Sequence, residues 1–106
     1  ATTAGDAAEA ASLTSVFGPR GVPVTSTKAI HGHLLGAAGA FELVATLRTL
    51  AARRLPPTAH VTAADPGLAI DLVTSAARDA PRLHTALSSS FAFGGTNAVL
   101  VVQKSV

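Results

Sequence analysis

Thr25-Ser26-Thr27-Lys28-Ala29-Ile30-His31-Gly32-His33-Leu34-Leu35-Gly36-Ala37-Ala38-Gly39-Ala40 is the stretch on which the reading of this chain turns. Upstream of it, the β-branched run Val22–Thr27 predicts a strand entering a loop, with Pro23 at an edge or strand start. Downstream, residues are apolar almost all round from Leu34 to Arg53, which predicts a helix buried on most faces. Glycine lowers helix stability, so Gly36 and Gly39 imply close approach of another backbone. Lys28 and His33 then fall in a strand-to-helix loop, with His33 at the mouth of the helix. The helix dipole and a nearby ammonium both disfavour an imidazolium there. A neutral imidazole donates one hydrogen bond, which suits polarisation of a carbonyl. A structural histidine held by backbone groups fits the same spacing. His31 and His33 lack a Cys or a third convergent ligand, so a metal site is not expected.

Working outward, Asp6-Ala7-Ala8-Glu9 has the spacing of a capping box, which predicts a helix starting at Asp6. Leu13, Val16 and Phe17 share one face of it, and Gly18-Pro19 ends it. Pro56-Pro57 stops the long helix. Residues 58–67 read as a loop with a turn at Asp65-Pro66-Gly67. Ala69–Val73, His84–Ser90 and Ala98–Gln103 read as strands. Between the last two lies Phe91-Ala92-Phe93-Gly94-Gly95-Thr96-Asn97, either a backbone donor site for an oxyanion or a bulged hairpin turn.

The chain's 106 residues make one small domain, with 48% hydrophobic and 13% charged residues. That excludes disorder and is apolar for a free-standing domain, so part of the surface is expected to lie against something else. The net charge is +2 and the aromatics are four Phe, which gives no nucleic-acid footprint. There is no Cys, hence no disulfide, thiolate metal site or Cys nucleophile in this segment. The N-terminal run lacks the basic and apolar regions of a signal peptide. Leu34–Leu50 is interrupted by Glu42 and Arg48 and is short for a membrane span.

Taken in order, these stretches resemble the β-ketoacyl synthases of the thiolase superfamily. Lys28 with Gly32-His33-Leu34-Leu35-Gly36-Ala37-Ala38-Gly39-Ala40 resembles the family's second-histidine motif. Ser90 to Asn97 resembles its glycine-rich loop near the C-terminus. Thr2, Gly5 and Asp6 resemble the tail of the first-histidine motif, His-Gly-Thr-x-Thr-x-x-Gly-Asp. Pro56-Pro57-Thr58 matches a family habit after the buried helix. The resemblance implies an α/β fold: the C-terminal half-domain of the thiolase-like layered structure, residues 1–106, with a mixed sheet and a central buried helix. It implies decarboxylative Claisen condensation of an acyl thioester with malonyl-acyl carrier protein, in fatty-acid or polyketide synthesis. A non-condensing partner subunit of a synthase heterodimer is the alternative.

By the same resemblance, His33 is the second catalytic histidine, Lys28 the active-site lysine and Glu42 its acidic partner. Phe93 is the gating phenylalanine whose N–H forms half of an oxyanion hole. Phe91, Ala92, Gly94, Gly95, Thr96 and Asn97 make the moving loop around it. The nucleophilic Cys and the first histidine are expected outside this chain, so the chain alone is expected to be inactive. The expected partners are acyl carrier protein, the remainder of the synthase and a second copy in a homodimer, with no membrane or nucleic acid. No cofactor is expected beyond the carrier's phosphopantetheine, and the location is expected to be cytoplasmic. Two residues depart from the pattern. His31 stands where many relatives carry a small or hydroxyl residue. Ala92 stands where Gly is usual, and would be strained at positive φ.

Overall fold

The computed structural model describes residues 2–105. Helix α1 spans Thr3–Phe17 and is capped by Thr2, not by Asp6. The Thr2 hydroxyl accepts from the Gly5 N–H at 3.0 Å. A Cβ on Gly5 would lie 2.9 Å from that oxygen, so glycine is what lets the cap close. Asp6 instead lies inside the first turn, where a carboxylate complements the helix dipole. Gly18, at φ 80°, ends the helix as its sequence predicts, its N–H returning to the Thr14 carbonyl.

The predicted strand at Val22–Thr27 shrinks to β1, Pro23–Val24. A single-turn helix α2, Lys28–His31, follows where a loop was expected. The long helix begins later than its apolar pattern suggests. Leu35–Ala37 is a 3₁₀ turn and α3 proper spans Ala38–Ala52, closed by Arg53 in the left-handed conformation. Short strands β2 (Arg54–Leu55), β3 (Asp71–Leu72) and β4 (Arg78–Asp79) precede the hairpin of β5 (Thr85–Phe91) and β6 (Asn97–Gln103). The Asp65 turn forms as expected, with the Gly67 N–H on its carboxylate and the Leu68 N–H on its carbonyl.

Pairing is both parallel and antiparallel, but it forms three two-stranded ladders among the described residues instead of one mixed sheet. β1 runs parallel to β3, and β2 and β5 run antiparallel to β4 and β6. Val73, just after β3, joins the small core: its N–H donates to the Val24 carbonyl and its carbonyl accepts from Thr58. Its side chain is 1% exposed, a burial that contributes about 1.5–3 kcal/mol. Leu50, Leu55, Ala10 and Ala38 complete the buried apolar set.

The expectation of a helix buried on most faces is not met within this chain. α3 packs on β5 and β6, yet Phe41, Val44 and Leu47 remain exposed along its other side. Gly36 has no neighbour where a Cβ would stand, and a Cβ on Gly39 would meet only the Ser90 hydroxyl at 4.0 Å. The close backbone approach that these glycines predict is therefore not made by the described residues. The 18 residues Leu35–Ala52 have a mean hydropathy of 1.3, which by length and composition would suffice to cross a membrane. The packing on the hairpin and the ion pair of Glu42 instead make this a layer of a packed fold.

Candidate active site

Two of the sequence motifs meet at one end of α3. Gly39, in its first turn, faces Ser90 near the end of β5. The loop Gly32–Ala37 before α3 and the turn Ala92–Thr96 after β5 therefore lie at the same end of the helix–hairpin layer.

His33 is exposed at this end. Gly32 before it has φ 77° and its N–H closes α2 on the Lys28 carbonyl at 2.7 Å. The His33 Nδ1 accepts the Leu35 N–H at 3.0 Å. A nitrogen that accepts cannot carry the proton, so the neutral ring carries it on Nε2. Leu35 itself sits at φ 50°. A non-glycine residue there costs about 1–2 kcal/mol. The Leu34 backbone, at φ −82° and ψ 14°, turns the Leu35 amide back onto the histidine ring. Nothing in the sequence marks Leu35 for this conformation, because leucine has no preference for left-handed backbone.

Lys28, in the first turn of α2, forms an ion pair with Glu42 of α3 as the resemblance implies. The Glu42 side chain is 14% exposed and that of Lys28 37%, so the carboxylate is the more sheltered partner. A second acid belongs to this cluster and was missed in the sequence. Glu9 of α1 is half-buried, and burial holds its carboxyl above the ordinary value of 4.5. The Asp6 and Glu42 carboxylates push it further up, while the Lys28 ammonium pulls it back. The sequence offered Glu9 only as the third residue after Asp6, where it was read as part of a capping box.

The glycine-rich stretch closes a hairpin. Ala92 N–H donates to the Thr96 carbonyl at 2.9 Å and Gly95 N–H to the Ala92 carbonyl at 3.3 Å. Phe91 pairs with Asn97 at the last rung. Gly94 and Gly95 hold φ of 83° and 82°, which explains both glycines. Ala92 is not among the positive-φ residues, so the condition under which it would be strained is not met in this conformation. Phe93 is fully exposed at the tip, and its N–H takes no part in the backbone bonds that close the turn. Thr2, Gly5 and Asp6 form the start of α1, and the Asp6 carboxylate helps hold the Glu9 carboxyl above its ordinary value. A shallow groove of about 460 Å³ between α1 and Gly67–Ala69 contains none of these residues.

Residues 1–62 match the family described as β-ketoacyl synthase, C-terminal domain. The chain belongs to the β-ketoacyl synthase family. It is 41% identical over 106 residues to a 3-oxoacyl-[acyl-carrier-protein] synthase 2 of Vibrio cholerae, an alignment covering 97% of this chain and 26% of that protein. It is 37% identical over 105 residues to nodulation protein E of Rhizobium leguminosarum bv. trifolii, covering 97% of this chain and 26% of that protein. A crystal structure of a β-ketoacyl synthase from Burkholderia phymatum superimposes with a TM-score of 0.91 at 35% identity, covering 99% of this chain and 26% of that one. The α/β fold is thus that of the C-terminal part of a β-ketoacyl synthase. The chain spans about a quarter of the length of these relatives.

Proposed function

We propose that this chain is the C-terminal segment of a condensing enzyme that joins an acyl thioester to malonyl-acyl carrier protein, with loss of carbon dioxide, in fatty-acid or polyketide synthesis. The observation that carries this reading is the hydrogen bond from the Leu35 N–H to His33 Nδ1, which assigns the ring proton to Nε2 and makes that N–H a donor. In the decarboxylation, the bond between the malonyl carboxylate and C2 breaks and its electron pair passes to the thioester enolate. A neutral N–H aimed at the enolate oxygen stabilises that charge without delivering a proton to carbon. The enolate C2 then attacks an acyl group held on a Cys, and the thiolate leaves. Dividing acyl transfer from carbon–carbon bond formation makes each step easier.

Phe93 supplies one oxyanion N–H, and the loop from Phe91 to Asn97 moves to admit the acyl chain. The Cys, its partner N–H and a first histidine come from the remainder of the synthase, so the chain alone forms no acyl adduct. Lys28 and Glu42 hold the charge around the site. The substrates arrive on phosphopantetheine of acyl carrier protein, with no other cofactor, in a cytoplasmic homodimer. The test is His33→Ala in the complete synthase. Release of carbon dioxide from malonyl thioester should fall by about 10²–10³-fold, the usual loss for one oxyanion donor. Acylation of the Cys should persist. Normal carbon dioxide release would refute the assignment.

A further inference from the structure

α2 is a helix of four residues, far too short to persist without help from its surroundings. Its own backbone supplies little: Ile30 N–H bonds to the Thr27 carbonyl and Gly32 N–H to that of Lys28. Two side chains fasten it to α3, and they meet adjacent residues there. Lys28 pairs with Glu42. The His31 ring lies against Phe41, with centroids 4.3 Å apart and planes inclined at 53°. Tilted aromatic contacts of this kind are favourable beyond their buried area. The same ring reaches back along α2, where its Nε2 lies 2.9 Å from the Thr27 hydroxyl. Thr27 is the N-cap position, but its side chain caps no N–H of α2. Its hydroxyl serves His31 instead.

The other ring nitrogen fixes the direction of that bond. His31 Nδ1 is buried with no partner among the described residues. A buried N–H without an acceptor costs more than a bare lone pair, so the proton belongs on Nε2 and is donated to Thr27. His31 is thus wedged between Thr27 and Phe41, and one residue separates it from His33. That residue is Gly32, which has no side chain to anchor the chain. Beyond it, His33 and Leu34 are exposed.

We propose that His31 is a positioning residue: it pins the end of α2 to α3 and so fixes where His33 presents its Nε2–H. This rests on the role proposed above for His33. The ion pair of Lys28 fastens the start of α2, and His31 fastens the end from which His33 departs. A small residue at position 31 could keep neither the contact with Phe41 nor the bond to Thr27. This chain thus holds its catalytic loop through an aromatic rivet of its own.

The test compares His31→Thr, His31→Phe and Thr27→Val in the complete synthase. His31→Thr loses the ring; the other two keep a ring against Phe41 and lose only the bond. With malonyl thioester, kcat for carbon dioxide release should fall about tenfold in His31→Thr and less in the others, since misplacement of a reacting group is costly. KM and the rate of Cys acylation should not change. Nitrogen-15 spectra of the histidines should show His33 protonated on Nε2 in the wild type and averaged between tautomers in His31→Thr. Should His31→Thr not fold, His31→Phe and Thr27→Val carry the same comparison. A folded variant with unchanged kcat and an unchanged His33 spectrum overturns the proposal, as does a parallel loss of acylation and decarboxylation. If the wild-type synthase released no carbon dioxide, the proposed function would fall, while the ring-nitrogen spectra would still decide whether His31 positions His33.

Discussion

The Lys28 ammonium on α2 donates to the Glu42 carboxylate on α3, fourteen residues further along the chain. This pair fastens α2 to the helix that follows it. Glu42 is sheltered on a largely apolar helix, so removing Lys28 leaves a carboxylate with less water than it needs.

Lys28→Ala and Glu42→Ala are therefore expected to be coupled. Lys28 is partly exposed, which places the coupling nearer the surface than the buried limit, at about 1 kcal/mol. Melting of the wild type, both single variants and the double variant checks this. The double variant should lose less than the sum of the two singles; additive losses would show that the contact contributes nothing.

Glu9 gives a pH dependence of definite sign. Its carboxyl is held above 4.5 mainly by burial, then by Asp6 and Glu42, against the pull of Lys28. The folded state consequently binds the proton more tightly than the unfolded one, and stability falls as pH rises through the folded value. Glu9→Gln removes that loss. The variant should melt above the wild type near neutral pH, and the gain should disappear below about pH 4, where Glu9 is protonated in both states. A gain of equal size at both ends of the range would point to packing and not to charge.

Ala92 adopts a backbone that any residue tolerates and closes the turn with two hydrogen bonds. Ala92→Gly should then cost about 0.4–1 kcal/mol, because glycine gains freedom in the unfolded chain. The same freedom loosens the turn beneath Phe93, and acylation of the Cys in the complete synthase should be faster. Stopped-flow loading at matched carrier concentration, beside melting of both forms, reads the two effects. Equal loading rates would place the hinge elsewhere, at Gly94 or Gly95.

The elements that shape the candidate site were legible in the residues where local motifs build them. Gly32-His33-Leu34-Leu35-Gly36 and Phe93-Gly94-Gly95-Thr96-Asn97 each need their residue types at fixed spacing. Gly94 and Gly95 show why: both hold positive φ at the tip of one hairpin. The ends of that hairpin were read correctly to within one residue, since β-branched runs and a glycine turn are local signals. Where two local signals compete, the reading slipped. Asp6 and Glu9 have the spacing of a capping box, but Thr2 stands four residues earlier and captures the cap because Gly5 leaves room for its hydroxyl.

The sequence by itself determined the α/β class, the hairpin, the apolar helix and the family, through patterns that repeat within a few residues. Only the three-dimensional structure decided which nitrogen of His33 accepts a hydrogen bond, because the Leu34 backbone returns the Leu35 amide to Nδ1. It alone brought Glu9 to the Lys28–Glu42 pair and set the His31 ring against Phe41. The last two are contacts between elements. Their energies depend on burial and distance in three dimensions, and no spacing along the chain encodes either.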